Sequence, residues 1–128
     1  GKWLVLPEII SKEPLGPLVR HGDHQWGDVV RWSLNAMIIA EELGVTSENV
    51  DAQKSSNVPE VLRLLGVEGS YGEMLELAPD WAYQIIKQIG NYSESYEANV
   101  GPDTPLEIAR GLNALWTQGG ILYAPPFR

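Results

Sequence analysis

The sequence contains no cysteine. That excludes disulfides, thiolate metal sites and a cysteine nucleophile, and it leaves the redox compartment open. Positive charge is also scarce: nine Lys and Arg stand against 17 Asp and Glu, a formal net charge of −8. Nucleic acid is therefore not an expected partner, because phosphate contacts need basic side chains. An anionic membrane surface is disfavoured on the same ground. No apolar run approaches the ~18 residues of a membrane span. The opening GKWLVLPEII carries one lysine and an apolar stretch broken at Pro7, which is not a signal-peptide pattern. It also begins without methionine, so the chain is expected to be a processed or excised piece of a longer protein.

What is present suits one packed domain. The chain has 128 residues, 44% of them hydrophobic, with five tryptophans. A domain of this size buries roughly two-thirds of the surface its unfolded chain exposes. Acid is concentrated between Glu41 and Asp80, where nine carboxylates face only Lys54 and Arg63. A solvated acidic face accounts for that run, which shows no tight cluster of ligands.

The local signals are mostly helical. WLVL, Trp3 to Leu6, and LGPLVR, Leu15 to Arg20, are two short β candidates, the second confined to an edge by Pro17. After the turn HGD, Trp26, Val29, Val30, Leu34, Met37 and Ile38 recur at helical spacing. Trp32, Ala36, Ile39 and Leu43 add a second apolar face, so this helix needs cover on more than one side, and Gly44 ends it. Thr46 or Ser47 caps a short turn. NVPEVLRLLG reads as a compact helix with Asn57 as N-cap, Glu60 at a capping-box spacing and Gly66 as the stop. SYGEMLEL is a weaker turn. PDWAYQIIKQIG is amphipathic, with Trp81, Ile85 and Ile89 on one face. NYSESYEANVG gives another short helix, with Tyr92 and Tyr96 four apart. DTPLEIARGLNALWTQGG carries the marks of a further helix: Thr104 at the N-cap, Pro105 at the first position, Glu107 three residues on, Gly119 and Gly120 as the stop. Trp26, Trp32, Trp81 and Trp116 are mostly expected in the core. The tail ILYAPPFR cannot be helical through Pro125 and Pro126 and is expected to lie extended across the surface.

Few residues invite chemistry. His21 and His24 flank Asp23, but zinc usually needs three or four ligands. Asp23, just after Gly22, is better read as the N-cap of the following helix, where its carboxylate meets free N–H groups. Ser55, Ser56, Ser93 and Ser95 lie in polar contexts far from either histidine, and no nucleophile elbow or phosphate loop occurs. GVEGSYG lacks a preceding strand and a following lysine. Glu41 and Glu42 occupy neighbouring helix positions and do not face one another. No residue is assigned as catalytic or metal-ligating, no cofactor is implied, and no enzyme is expected.

The order of these signals carries a resemblance. EPLGPLVRHGDHQWGDVVRWSLNAM is similar to a stretch near the C-terminal end of the polar amino-acid-binding proteins of ABC transporters. There a strand of pattern E-P-x-G-x-x-V-R-x-G-D feeds a long helix; Glu13, Pro14, Gly16, Val19, Arg20, Gly22 and Asp23 match it. GNYSESYEANVG resembles that family's terminal motif through Gly90, Tyr92, Tyr96 and Gly101. Ser95, Asn99 and Val100 depart from it. The whole chain, through VGPDTPL, GLNALWT and YAPPFR, resembles the end of the general L-amino-acid-binding subgroup, which carries a helical extension.

The resemblance implies a mainly α chain with one or two short β strands. It would be the C-terminal part of the first lobe of a type II periplasmic-binding-protein-like α/β fold, plus that extension. Residues 1–43 would form the lobe-return strand and long helix, and 44–128 the extension and extended tail. The parent would bind an L-amino acid in the periplasm and present it to a membrane permease by closing two lobes. The residues that grip the ligand would lie upstream, so no ligand contact is carried over to this chain, whose ligand-binding residues are left unknown. Cut from its neighbours, the chain is expected to self-associate by exchanging its N-terminal strand or C-terminal tail. The alternative is a free-standing acidic helical module that binds a protein partner.

Overall fold

In the computed structural model the described residues are 15–128 together with Trp3, Leu4, Leu6, Glu8, Ile10 and Ser11. Six α-helices follow one another: α1 (His24–Glu42), α2 (Val50–Gln53), α3 (Pro59–Leu64), α4 (Tyr71–Met74), α5 (Trp81–Ile89) and α6 (Tyr92–Asn99). Two 3₁₀ turns, Gly111–Asn113 and Trp116–Gln118, come after them. The fold is therefore mainly helical, as expected. The expected strands are not formed among the described residues. Leu15 to Arg20 runs without strand pairing, and the first candidate lies partly outside the described residues, at Val5. The β structure that is present is an isolated bridge between Leu115 and Leu122. A strand exists only with a neighbouring strand to share its backbone bonds, and what lies beside Pro17 and Val19 among the described residues is the helix that follows, at Gly27 and Val30.

Helix α1 organises the rest. Asp23 Oδ1 accepts the backbone N–H of Trp26 at 3.1 Å, so the helix starts where the sequence placed it. It stops at Gly44, whose φ of 67° is open to glycine at little cost. There Gly44 N donates to Glu41 O and Val45 N to Ala40 O, closing two carbonyls the helix would leave free. Val45 then turns inward and is fully buried.

The same device ends α3. Gly66 has φ 71°, with Gly66 N donating to Arg63 O and Val67 N to Leu62 O. A side chain at Gly66 would also collide with the Pro79 backbone, so this glycine serves both the cap and a close approach of two segments. The helix begins after Val58, one residue later than expected, because Pro59 takes its first position and Asn57 makes no cap.

Helix α1 packs against α3, α5 and α6, and α2 against α5. The buried side of α1 is the second of its two apolar faces: Ala36, Ile39 and Ala40 are buried, with Trp32 and Leu43 packed against the core. Of the first face Ile38 is buried and Val29 and Leu34 pack against the core, so the helix is covered on more than one side, while Trp26 is 55% exposed. In α5 the buried residues are Trp81, Ala82 and Ile86, while Ile89 points outward. Both differences have one cause. Periodicity shows that a stripe exists, but the direction of the stripe depends on which neighbour covers it.

The region from Gly101 to Gly120 corrects the expectation of a helix starting at Thr104. The Thr104 hydroxyl instead donates to Gly101 O at 2.8 Å and accepts from Leu106 N, making a tight turn. Glu107 adopts φ 51°, and Ile108 N returns to Val100 O. Leu106, Leu112 and Trp116 are left exposed. The tail corrects a second expectation. It is extended, but Ala124 and Phe127 are buried in the core rather than laid on the surface.

Candidate functional site

Four places in the described structure gather polar or charged side chains, and each is built by a different part of the chain.

The first is the corner before α1. Arg20, His21, Asp23, His24, Asp28 and Arg31 line an open depression there. Both histidines are exposed. Among the described residues no group of three or more His, Asp or Glu comes close enough to hold a metal ion. Asp23 acts as the cap, and Asp28 reaches Arg31 at 3.4 Å on the surface. Asp23→Ala should therefore cost about 0.5–2 kcal/mol of stability, the usual worth of such a cap. Zinc should leave the melting temperature unchanged; a rise abolished by His21→Ala would instead make this a metal site.

The second is a polar knot that sequence reading missed. Asn91 is buried, and its carboxamide accepts Glu94 N while Glu94 accepts Asn91 N at 2.8 Å. This reciprocal cap was legible as N-Y-S-E. What was not legible is its reach: Asn91 Nδ2 donates to Val45 O, and Glu94 accepts both Ser47 N and Ser47 Oγ. The knot ties the loop after α1 to the start of α6.

The third is an ion pair. Arg110 Nη2 donates to both oxygens of Glu41 at 3.0 Å, and the two side chains are only 15% and 8% exposed. The guanidinium sits 5.4 and 5.3 Å from the ring centroids of Tyr92 and Tyr96, and it also donates to Asn113 O. Glu42 points elsewhere and accepts from Trp116 Nε1, so the two glutamates do not face one another, as expected.

The fourth is exposed. Asp51 accepts from Lys87 Nζ at 2.7 Å and from the Tyr83 hydroxyl at 2.8 Å, while Lys54 lies over the Tyr83 ring. The Lys87 hydrogen bond, then that of Tyr83, holds the Asp51 carboxyl below the usual carboxylate range. Asp51 in turn raises Lys87 and Tyr83. A depressed carboxylate stabilises the fold above its ordinary pKa of about 4 and loses that contribution as pH falls through the folded value. A raised lysine contributes fully below about 10.4 and loses its share as pH rises past it. The contact should thus act between roughly pH 4 and 10 and weaken in salt, because it is exposed. The difference in melting temperature between the native chain and Asp51→Asn should vanish at strongly acid pH. A difference that persists there would assign it to packing.

None of these clusters offers what a free amino acid requires, a cation for its carboxylate beside an anion for its ammonium in a closed cleft. The polar groups serve the fold: they cap, tie and pair.

No family model matches the chain. Individual proteins do. The putative amino-acid ABC transporter-binding protein YhdW of Escherichia coli K12 is 59% identical over 130 residues, covering 100% of this chain and 38% of the relative. The glutamate/glutamine/aspartate/asparagine-binding protein BztA of Rhodobacter capsulatus is 56% identical, over 98% of this chain and 37% of its own length. The general L-amino acid-binding periplasmic protein AapJ of Rhizobium johnstonii is 57% identical, with the same two coverages. Among solved structures, an ABC transporter periplasmic binding protein from Brucella ovis with glutathione bound superposes with a TM-score of 0.91. It is 54% identical and matches 96% of this chain and 39% of its own. The chain thus spans less than two-fifths of the length of each of these proteins. With more than half its residues shared with each of them over nearly its whole length, it matches the C-terminal part of amino-acid ABC transporter substrate-binding proteins.

Proposed function

We propose that this chain is scaffold rather than ligand site in a periplasmic protein that delivers L-amino acids to an ABC transporter permease. The observation that carries the reading is the close superposition on a ligand-bound binding protein by a chain whose described residues form no closed cleft with a charge pair for a zwitterion. Residues 1–43 would return the backbone to the first lobe and supply its long helix, and 44–128 would form the extension and tail. Exposure supports this division. Large apolar side chains stand open to solvent along the N-terminal stretch, with Trp3, Ile10 and Leu18 each at least 96% exposed. Such a stretch suits contact with the remainder of a longer protein, and in its absence a second copy would cover it. Exchange of the N-terminal stretch or of the C-terminal tail, whose Phe127 would make the same core contacts in a partner, would build that contact. No helix among the described residues is long and apolar enough to cross a membrane.

The test is calorimetric titration of the chain with glutamate, glutamine, leucine and arginine. No saturable micromolar binding is expected for any of them. Such binding by one would place a complete ligand site within these 128 residues and end the scaffold reading.

A further inference from the structure

A cleft of about 210 Å³ opens between the C-terminal end of α1, the start of α3 and the tail. Its floor is core: Ile39 and Phe127 are each 7% exposed. Its rim is different in kind, with two carboxylates, Glu42 and Glu60, and two exposed aromatic rings, Trp116 and Tyr123. Among the described residues no lysine or arginine lines it. The rings meet at 70° with centroids 5.9 Å apart, so one presents its face beside the other's edge. Trp116 Nε1 donates to Glu42 Oε1 at 3.3 Å, which holds that carboxylate next to the indole. Glu42 Oε2 accepts no hydrogen bond among the described residues.

We propose that this cleft is a docking site for an arginine side chain presented by a protein partner. Aromatic faces attract cations through the ring quadrupole, and arginine does so while its flat fork still reaches a carboxylate. Its aliphatic stem suits an apolar floor. The chain's net charge of −8 favours approach of a basic segment. Glu60 is already paired with Arg63 at 3.5 Å, so Glu42 is the carboxylate left for a guanidinium. A polypeptide fits better than free arginine, because among the described residues no lysine or arginine lines the cleft to meet an α-carboxylate. Leu112 and Ile121, joined by a backbone hydrogen bond of 2.9 Å, are two further exposed apolar side chains in the same segment as Trp116. Exposed apolar patches with aromatic anchors and a polar edge are characteristic of protein interfaces. The inference does not rest on the transport reading, and its failure would leave that reading intact.

The experiment follows the indole N–H signal of Trp116 by NMR, assigned with Trp116→Phe, while acetyl-Leu-Arg-Leu-amide is added to the chain. A saturable shift is expected, about tenfold weaker with citrulline in place of arginine and similarly weakened by Glu42→Gln. Free L-arginine should bind more weakly than the peptide. No shift at millimolar peptide, or equal shifts from the citrulline peptide, would overturn the proposal. Tighter binding of free arginine would make the cleft a small-molecule site instead and also overturn it. A Trp116 signal that moves with protein concentration alone would show that a second copy fills the cleft, and the arginine proposal would fall with it.

Discussion

Phe127→Ala is expected to destabilise the chain by about 3–5 kcal/mol, the cost of removing a buried aromatic side chain and leaving a cavity. The residue stands second from the end of the sequence, where truncation usually matters little. Here its ring stacks on Trp32 at 5.2 Å between centroids, touches Tyr71 at 5.3 Å and meets the edge of Trp81 at 6.2 Å. It therefore joins α1, α4 and α5 at one point. Two effects reduce the loss: a freed tail regains roughly 1–2 kcal/mol of backbone entropy per residue, and neighbouring rings can partly collapse into the space. Burial should still win, because Ala124 and Leu122 pack in the same core and would lose their anchor as well. Phe127→Leu, which keeps most of the volume, should cost much less, under about 1.5 kcal/mol. Thermal melting decides between the two, with a fall of about 10–20 °C expected for the alanine variant at this chain length. A change of only a degree or two would mean that the tail lies loosely on the surface.

The second large effect concerns Arg110→Met, expected to cost about 3 kcal/mol because it strands a buried carboxylate. Glu41 would keep its burial and lose both hydrogen bonds from the guanidinium. The ring contacts to Tyr92 and Tyr96 would weaken at the same time. The pair as a whole is worth far less than its breakage suggests, since both ions had to leave water to form it. The double variant Glu41→Leu/Arg110→Met should therefore recover most of the stability lost by the single one. Denaturant unfolding of the native chain, both single variants and the double variant measures this directly. Additive losses would show that the two side chains act independently. Amide exchange should also quicken from residue 101 to 114 in Arg110→Met, because this arginine tethers that segment to α1 and closes its own turn through Asn113 O.

Both residues are visible in the sequence, and neither can be given its role there. Arg110 falls inside an expected helix, where the marks of Thr104, Pro105 and Glu107 agree with one another. Its partner lies 69 positions away. Once that pair forms, a regular helix through Gly101–Gly120 would compete with the turn at Thr104, the left-handed Glu107 and the bridge from Leu115 to Leu122. The tail is non-helical, as its prolines require, yet it enters the core instead of lying on the surface. Pro125 and Pro126 fix its local conformation; they say nothing about where it lies.

The features legible from the residues alone are those that close within a few positions. Asp23 and Trp26 start α1, Gly44 and Gly66 end α1 and α3, and N-Y-S-E caps α6. Each depends on hydrogen bonds spanning three to five positions, so the residues that make the feature sit together along the chain. The resemblance is legible for a related reason, since motifs such as VGPDTPL and YAPPFR keep their order whatever they touch. Folding in three dimensions was needed to select which face of α1 is buried, to orient Trp26 and Trp116, and to bring Phe127 into the core. It also selected the path of turns through residues 101–120. Those outcomes are set by contacts between distant segments, where burial and a shielded ion pair outweigh the tenths of a kcal/mol by which one residue's propensity favours a helix.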